Sequence, residues 1–142
     1  MLYFKKCRNP FPGKKKFVMS GKLVDTNVLI YLSKKKLKLE KIASPEDTLF
    51  ISVITYMEVM GYAFNSNPEK ALVEKLCSLF PTIDLNSEIV EQVIALRRNH
   101  KIKLPDAIIL VSAAVHKLEL LTANVTDFSN RIVGLKITNP MA

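Results

Sequence analysis

Cysteine is scarce in this chain, and the two cysteines present stand far apart. Cys7 and Cys77 form no C-x-x-C motif, and no cluster of cysteine and histidine exists. A structural zinc site is therefore excluded, and a disulfide framework is not expected. The reducing cytoplasm is the expected location of a chain with this cysteine usage.

Long apolar runs are also missing. The longest stretch, residues 107–121, is interrupted by Ser112, His116, Lys117 and Glu119. It is too short and too polar to span a bilayer, and it indicates a helix buried at the centre of the fold. The basic N-terminus is followed by too few apolar residues to form a signal peptide. We therefore expect no membrane association.

Acidic residues are absent from the start of the chain. Residues 1–18 hold six of the 21 basic residues and none of the 13 acidic ones, so most of the net charge of +8 lies there. We interpret residues 1–20 as a mobile basic extension, in which Met19 is an alternative translation start. Residues 21–142 then form a single domain, because the whole chain of 142 residues fits one.

From residue 21 onward, strand-like and helix-like patterns alternate. Strands separated by helices imply parallel pairing, and the sequence predicts a three-layer α/β/α fold with a central, mostly parallel sheet of about five strands. The predicted strands are 22–24, 48–53, 82–85, 120–123 and 135–138. The predicted helices are 26–33, 55–64, 68–80, one capped by Ser87 with its apolar face at Ile89, Val90, Val93, Ile94 and Leu96, and a long one from Pro105.

Four acidic residues stand where these strands end or where helices begin. They are Asp25, Glu58, Asp106 and Asp127. Ligands of open α/β sheets gather outside the carboxyl ends of the strands, so acids distant in sequence can meet there. Carboxylates held together repel one another, and a hard divalent cation with oxygen ligands is the usual compensation. Neutral oxygen and amide groups suited to orienting such ligands lie beside the acids, at Asn27, Thr122 and Asn124.

Each acid taken alone has a structural alternative. Asp25 suits a helix N-cap, and Glu58 falls at capping-box spacing from Thr55. Asp106 follows a proline at a helix start, where negative charge favours the helix dipole. Asp127 lies in a polar turn, where aspartate is common. The metal-site hypothesis therefore depends on the four together.

A basic cluster directly precedes Asp106. It comprises Arg97, Arg98, Lys101 and Lys103, with His100 among them. A solvated surface and a phosphate-binding surface are both consistent with these residues. The second histidine, His116, lies on an apolar helix and is interpreted as a core residue.

The strings around the four acids resemble those of PIN domains, and most of all the VapC-type ribonuclease toxins of toxin–antitoxin pairs. The strings are L-V-D-T-N-V-L-I, I-S-V-I-T-Y-M-E-V-M-G, L-P-D-A-I-I and L-L-T-A-N-V-T-D-F, in the family's order over about residues 21–140. The family's four acids match Asp25, Glu58, Asp106 and Asp127. Its hydroxyl and asparagine before the last acid match Thr122 and Asn124. The basic extension is a departure from the family pattern.

The resemblance implies an endoribonuclease that depends on Mg²⁺ or Mn²⁺. Asp25 and Asp106 would be the principal metal ligands, and Glu58 and Asp127 would complete the site and activate water. The implied partners are an RNA substrate, contacted by the basic cluster at 97–103, a small antitoxin protein and a second copy in a homodimer. Two alternatives stay open: a PIN-fold nuclease of RNA processing or decay, and a non-catalytic α/β interaction module whose acids are helix caps.

Overall fold

The structure, a computed structural model, describes residues 21–141. The basic extension at 1–20, with Met19, lies outside this range, so its mobility stays a prediction. Among the described residues, the strands are β1 (Gly21–Val24), β2 (Thr48–Ser52), β3 (Thr82–Ile83), β4 (Glu119–Leu121) and β5 (Ile137–Thr138). The helices are α1 (Thr26–Ser33), α2 (Val53–Met60), α3 (Asn67–Leu79), α4 (Ser87–Asn99), α5 (Leu104–Val115) and α6 (Val125–Phe128), with a 3₁₀ turn at Leu39–Lys41.

The strands form one parallel sheet in the order β3-β2-β1-β4-β5. Successive strand residues face opposite sides of the sheet, as the pleat requires. Leu23 packs into a core with α4 and α5, whereas its neighbour Val24 packs into a second core with α1 and α3. The predicted three-layer α/β/α fold is therefore confirmed. Because the chain steps from β1 to β2 on one side and later to β4 on the other, the strand order reverses beside β1.

Two predicted helix starts are wrong by one turn or less, because a neighbouring residue is the cap. Helix α2 begins at Val53 instead of residue 55, since the Ser52 hydroxyl accepts the backbone N–H of Ile54 at 3.1 Å. It ends at Met60, short of the predicted residue 64. Asn86, and not Ser87, caps α4 by accepting the N–H of Ile89 at 2.9 Å.

Two apolar surfaces that the sequence assigns to the core are exposed. On α4, Ile89 and Val93 are buried, but Val90 and Ile94 lie on the surface, Ile94 with 42% exposure. On α2 the side chain of Met57 is 56% exposed. The apolar character of Met57, Met60 and Tyr62 favours a core role for them, and this prediction is wrong because all three are exposed.

Within residues 21–141, no helix is both long enough and apolar enough to cross a bilayer. The most apolar helix, α5, is instead enclosed between the sheet and α4, and its residues 107–113 are all buried. This confirms the buried helix predicted after Pro105. Its amino-terminal end brings Asp106 to the carboxyl edge of the sheet.

Candidate functional site

The candidate site lies where β1 and β4 end side by side. Asp25 directly follows β1, and its backbone N–H donates to the carbonyl of Leu121, the last residue of β4, at 2.9 Å. Thr122 directly follows β4. The two segments therefore meet at the point of strand-order reversal, which is the usual ligand position in open parallel sheets.

Asp25 is buried and uses both of its carboxylate oxygens. Oδ1 accepts the backbone N–H of Thr26 at 2.8 Å, so the residue does cap α1. Oδ2 accepts the hydroxyl of Thr122 at 2.7 Å and the Nδ2 amide of Asn27 at 3.3 Å. Asp25 can therefore cap α1 through Oδ1 and still belong to the candidate site, because Oδ2 faces the β4 side.

The three neutral residues predicted to support the acids form hydrogen bonds that connect Asp25 with Asp127. Thr122 is fully buried, and its Oγ1 also accepts the backbone N–H of Asn124 at 2.9 Å. The Asn124 side chain donates to Oδ2 of Asp127 at 2.7 Å. Asn27 accepts the backbone N–H of Ala123 at 3.1 Å. The loop after β4 is therefore held against α1 through side chains that flank Asp25.

Glu58 lies on the exposed side of α2 and is held by a residue that the sequence reasoning missed. Its Oε1 accepts the hydroxyl of Thr26 at 2.5 Å, and the Thr26 Oγ1 lies 3.1 Å from the buried hydroxyl of Thr55. Thr55 is inside α2 and does not cap it, so the capping-box alternative for Glu58 is wrong. The adjacency of a hydroxyl to Asp25 in D-T-N was the available indication for Thr26.

Asp106 and Asp127 form the outer part of the site. Asp106 is half-buried in the first turn of α5. Asp127 is exposed and belongs to the one-turn helix α6, where the sequence predicted a polar turn. Buried Phe128 fixes α6 to the core beneath. Solvent exposure therefore increases from buried Asp25, through half-buried Asp106, to exposed Glu58 and Asp127. The candidate site is open to solvent on this outer side.

The electrostatics show that the acids act on one another. Burial is the main factor that raises the pKa of Asp25, the hydrogen bonds from Thr122 and Thr26 oppose it, and the charges of Asp106 and Glu58 raise the pKa further. Burial also raises the pKa of Asp106; Lys103 offsets part of this effect, whereas Asp127 and Glu58 add to it. Mutual repulsion therefore links all four carboxylates.

The donor set fits a metal ion that keeps much of its water. Between residues 21 and 141, ion pairs involve Asp47, Glu69 and Glu119 but none of the four acids. In the same range, no three carboxylate, imidazole or thiol groups lie close enough to enclose an ion on their own. Mg²⁺ binds through one or two carboxylates with several waters, so an open site with Asp25 and Asp106 suits it.

The predicted basic cluster divides in the structure. Arg97, Lys101 and Lys103 line a cleft together with Asp106 and Asp127, whereas Arg98 is exposed but does not border that cleft. Arg131, which the sequence reasoning missed, completes the lining from the segment after α6. No local pattern marks Arg131, because its neighbours in the cleft come from a different part of the chain.

The histidines take no part in this site. His116 follows α5, and burial lowers the pKa of its imidazole, with Glu88 opposing the effect. Its Nε2 is buried and has no hydrogen-bond partner within the described part of the chain. His116 is half-buried and belongs to neither core, so the prediction that it is a core residue is wrong.

Known proteins match most of the residues that the structure describes. A family model described as PIN domain matches residues 22–131. A chain of a toxin–antitoxin complex from Klebsiella pneumoniae is 40% identical, with a TM-score of 0.65, and the alignment covers 83% of this chain and 96% of that one. Among curated proteins, no relative matches.

Two further solved structures have the same fold. A chain of VapBC-1 from nontypeable Haemophilus influenzae is 26% identical, with a TM-score of 0.68 and coverage of 86% of this chain and 99% of that one. A chain of VapBC2 from Rickettsia felis, bound to a DNA fragment from its promoter, is 22% identical with a TM-score of 0.68, covering 84% and 98%. At 22% identity the second likeness shows the fold alone.

Proposed function

Because the chain belongs to the PIN-domain family, we propose that it is a Mg²⁺- or Mn²⁺-dependent endoribonuclease. One observation carries the proposal: Asp106, from a distant part of the chain, lies close enough to buried Asp25 at the carboxyl edge of the sheet for its charge to raise the pKa of Asp25. Repelling carboxylates destabilise a fold unless a bound cation offsets their charge. The family supports the reaction class, and the position of these carboxylates supports the choice of residues.

Each acid has a role that follows from its position. Asp25 and Asp106 would hold the metal, directly or through water. A bound Mg²⁺ or Mn²⁺ lowers the pKa of water and offsets charge on the phosphorane-like transition state. Exposed Glu58 and Asp127 lie nearer the substrate side and would position or deprotonate the attacking water. Attack of water on the phosphorus with the 3′-oxygen as the leaving group would break the P–O3′ bond and leave a 5′-phosphate and a 3′-hydroxyl.

The decisive experiment is RNA cleavage by the purified protein in Mg²⁺, in Mn²⁺ and in EDTA. We expect metal-dependent internal cleavage with 5′-phosphate ends, and loss of cleavage in Asp25→Asn and Asp106→Asn with the circular dichroism spectrum unchanged. Wild-type rates in both variants would show that the metal-site hypothesis is wrong, whereas no cleavage by the wild-type protein in either metal would favour the non-catalytic interaction module, in which the acids are only caps.

We further propose that the chain is the toxin of a toxin–antitoxin pair. The similar chain from Klebsiella pneumoniae is part of a toxin–antitoxin complex, and its 40% identity supports extending that role here. Helix α2 offers a suitable surface, since Tyr56, Met57 and Met60 are exposed around Glu58. Methionine-rich surfaces adapt to partners, and an acidic pocket accepts an inserted arginine or lysine.

The toxin proposal has its own test in growing cells. Expression of the wild-type chain should slow growth, Asp106→Asn should not, and co-expression of a small protein encoded beside the gene should restore growth. Harmless overexpression of a protein that cleaves RNA in vitro would favour the RNA-processing alternative.

A homodimer in the cytoplasm is part of the same proposal, and exposed Val90 and Ile94 on α4 are suited to an interface between copies. Sedimentation of the isolated protein tests this state.

A further inference from the structure

The cleft beside the outer acids contains positive and negative groups that do not neutralise each other by pairing. It has a volume of about 480 Å³. Its lining includes Asp106 and Asp127 together with four cationic side chains, Arg97, Lys101, Lys103 and Arg131. The ion pairs found between residues 21 and 141 involve Lys22, Lys34 and Lys136, none of which belongs to the cleft. A ligand that carries both a cation and an anion can bind to such separate negative and positive groups.

The two arginines of the cleft are held in place by backbone carbonyls. Nε of Arg97, in the last turn of α4, donates to the carbonyl of Ile102 at 3.1 Å. Nε of Arg131 donates to the carbonyl of Asp127 at 3.3 Å. Each guanidinium has five N–H donors, and these bonds use only the Nε one. The terminal nitrogens therefore keep donors for a ligand, on side chains whose orientation is already restricted.

We propose that Arg97 and Arg131 together form a clamp for an RNA phosphate neighbouring the one that is cleaved. This inference rests on the proposed nuclease function and assigns to it a substrate-positioning site. A guanidinium binds phosphate through two parallel hydrogen bonds, which fixes direction as well as distance. Arg131 lies just after α6, which carries Asp127, and Arg97 lies in the last turn of α4. The backbone of an RNA held by both arginines would therefore pass beside Asp106 and Asp127. Lys101 and Lys103 then add positive charge along that path.

Arg98 provides a matched control for this clamp. It adjoins Arg97 in the last turn of α4 and is also exposed, but it does not line the cleft. Replacing either arginine by alanine removes the same charge and the same favourable interaction with the helix dipole. A difference between Arg97→Ala and Arg98→Ala therefore reports on the cleft and not on the general electrostatic attraction of RNA.

The test measures binding of a labelled single-stranded RNA oligonucleotide to the full chain in EDTA, over a series of salt concentrations. We expect Arg97→Ala and Arg131→Ala to raise the Kd at least about fivefold and to lower the salt slope by about one. Arg98→Ala should raise it less than about twofold. Arg131→Lys should keep the salt slope but lose part of the affinity, because lysine lacks the forked geometry.

Cleavage kinetics in Mg²⁺ give a second readout. A clamp of this kind holds the substrate and the transition state equally. Arg97→Ala and Arg131→Ala should therefore have a higher KM with kcat nearly unchanged. Melting temperatures identify any variant that is merely destabilised, and Arg131→Lys retains a donor for the Asp127 carbonyl. Equal Kd, salt slope and KM for the Arg97, Arg98 and Arg131 alanine variants would overturn the clamp.

The two proposals fail in different ways. If the wild-type protein cleaves RNA but all three alanine variants behave alike, the clamp is wrong and the nuclease proposal stands. If the wild-type protein binds RNA through Arg97 and Arg131 but cleaves it in neither Mg²⁺ nor Mn²⁺, the clamp stands and the nuclease proposal is wrong.

Discussion

The hydroxyl of Thr26 donates a 2.5 Å hydrogen bond to Oε1 of Glu58 and so joins the start of α1 to the exposed side of α2. Thr26 also follows Asp25 directly, and its backbone N–H donates to that carboxylate at 2.8 Å. One residue thus contacts two of the four acids, through different atoms. This makes Thr26 a positioning residue for the candidate site.

We expect Thr26→Val to lower kcat about tenfold while changing the melting temperature little. A tenfold loss corresponds to about 1.4 kcal/mol, close to the lower limit of the usual range for a hydrogen bond to a charged group. Thr26→Ser keeps the hydroxyl and should retain most of the activity. Steady-state cleavage rates check this. A Thr26→Ser variant as slow as Thr26→Val would show that the hydroxyl alone does not sustain activity, and it would contradict the hydrogen bond as the cause of the loss.

Glu58→Gln should reduce cleavage by orders of magnitude with the melting temperature nearly unchanged. Glu58 caps no helix and is exposed, so the fold has little need of its charge. Adding Thr26→Val to this variant should cause little further loss, because the pair acts as a unit. Full turnover of Glu58→Gln would remove Glu58 from the catalytic set.

Asp106→Asn should melt at a higher temperature than the wild-type protein in EDTA at neutral pH. Burial and the neighbouring acids disfavour the charged form of Asp106, and asparagine removes that charge at similar size. Mg²⁺ should then raise the melting temperature of the wild type but have a smaller effect on the variant. Differential scanning fluorimetry measures both. A lower melting temperature for the variant in EDTA would contradict the repulsion argument.

Cys77 should react very slowly with iodoacetamide in the folded protein at pH 8. Burial, with a contribution from Glu74, raises the pKa of its thiol to about 11, so the thiolate is rare at that pH. The folded state favours the protonated thiol of Cys77. The contribution of this thiol to the free energy of unfolding is therefore complete below pH 9.0, the ordinary pKa, and declines as pH rises towards 11. Mass spectrometry in a Cys7→Ser background follows the reaction, and rapid labelling of folded protein would contradict the burial of Cys77.

Removal of residues 1–18 should leave the domain folded and the nuclease active. The segment has no periodic apolar face, so few core contacts depend on it. Thermal melts and cleavage assays of a chain that starts at Met19 provide the measurement. A fall of many degrees in melting temperature would show that the extension packs against the domain.

Sequence patterns predicted the layers well because strand and helix periodicities are local. Helix α1 has the predicted bounds, Thr26–Ser33, between a capping aspartate and a lysine-rich turn. The start of α2 was missed because Ser52 and Thr55 are both acceptable caps, and only packing decides between them. Periodicity also marks Val90 and Ile94 as apolar without indicating that α4 turns them outward.

The candidate site was predictable as a set of acids but not as a network. Order and spacing singled out four carboxylates as candidates, and in the structure Glu58 and Asp106 lie close enough to Asp25 to raise its pKa. The contact from Thr26 to Glu58 depends on how two helices pack, which no local pattern encodes. The same holds for Arg131, whose meeting with Arg97 depends on the path of the chain after α6.

The hydrogen bond from Thr122 to Asp25 spans 97 residues of sequence and has a consequence for biosynthesis. During translation, Asp25 leaves the ribosome long before Thr122, and β1 gains its second neighbouring strand only when β4 has emerged. An unfinished chain lacks the hydroxyl, the loop with Asn124 and the acid Asp127 that complete this edge of the sheet. The chain therefore acquires its full acidic site only after Asp127 has been synthesised, and products that terminate before this residue lack it.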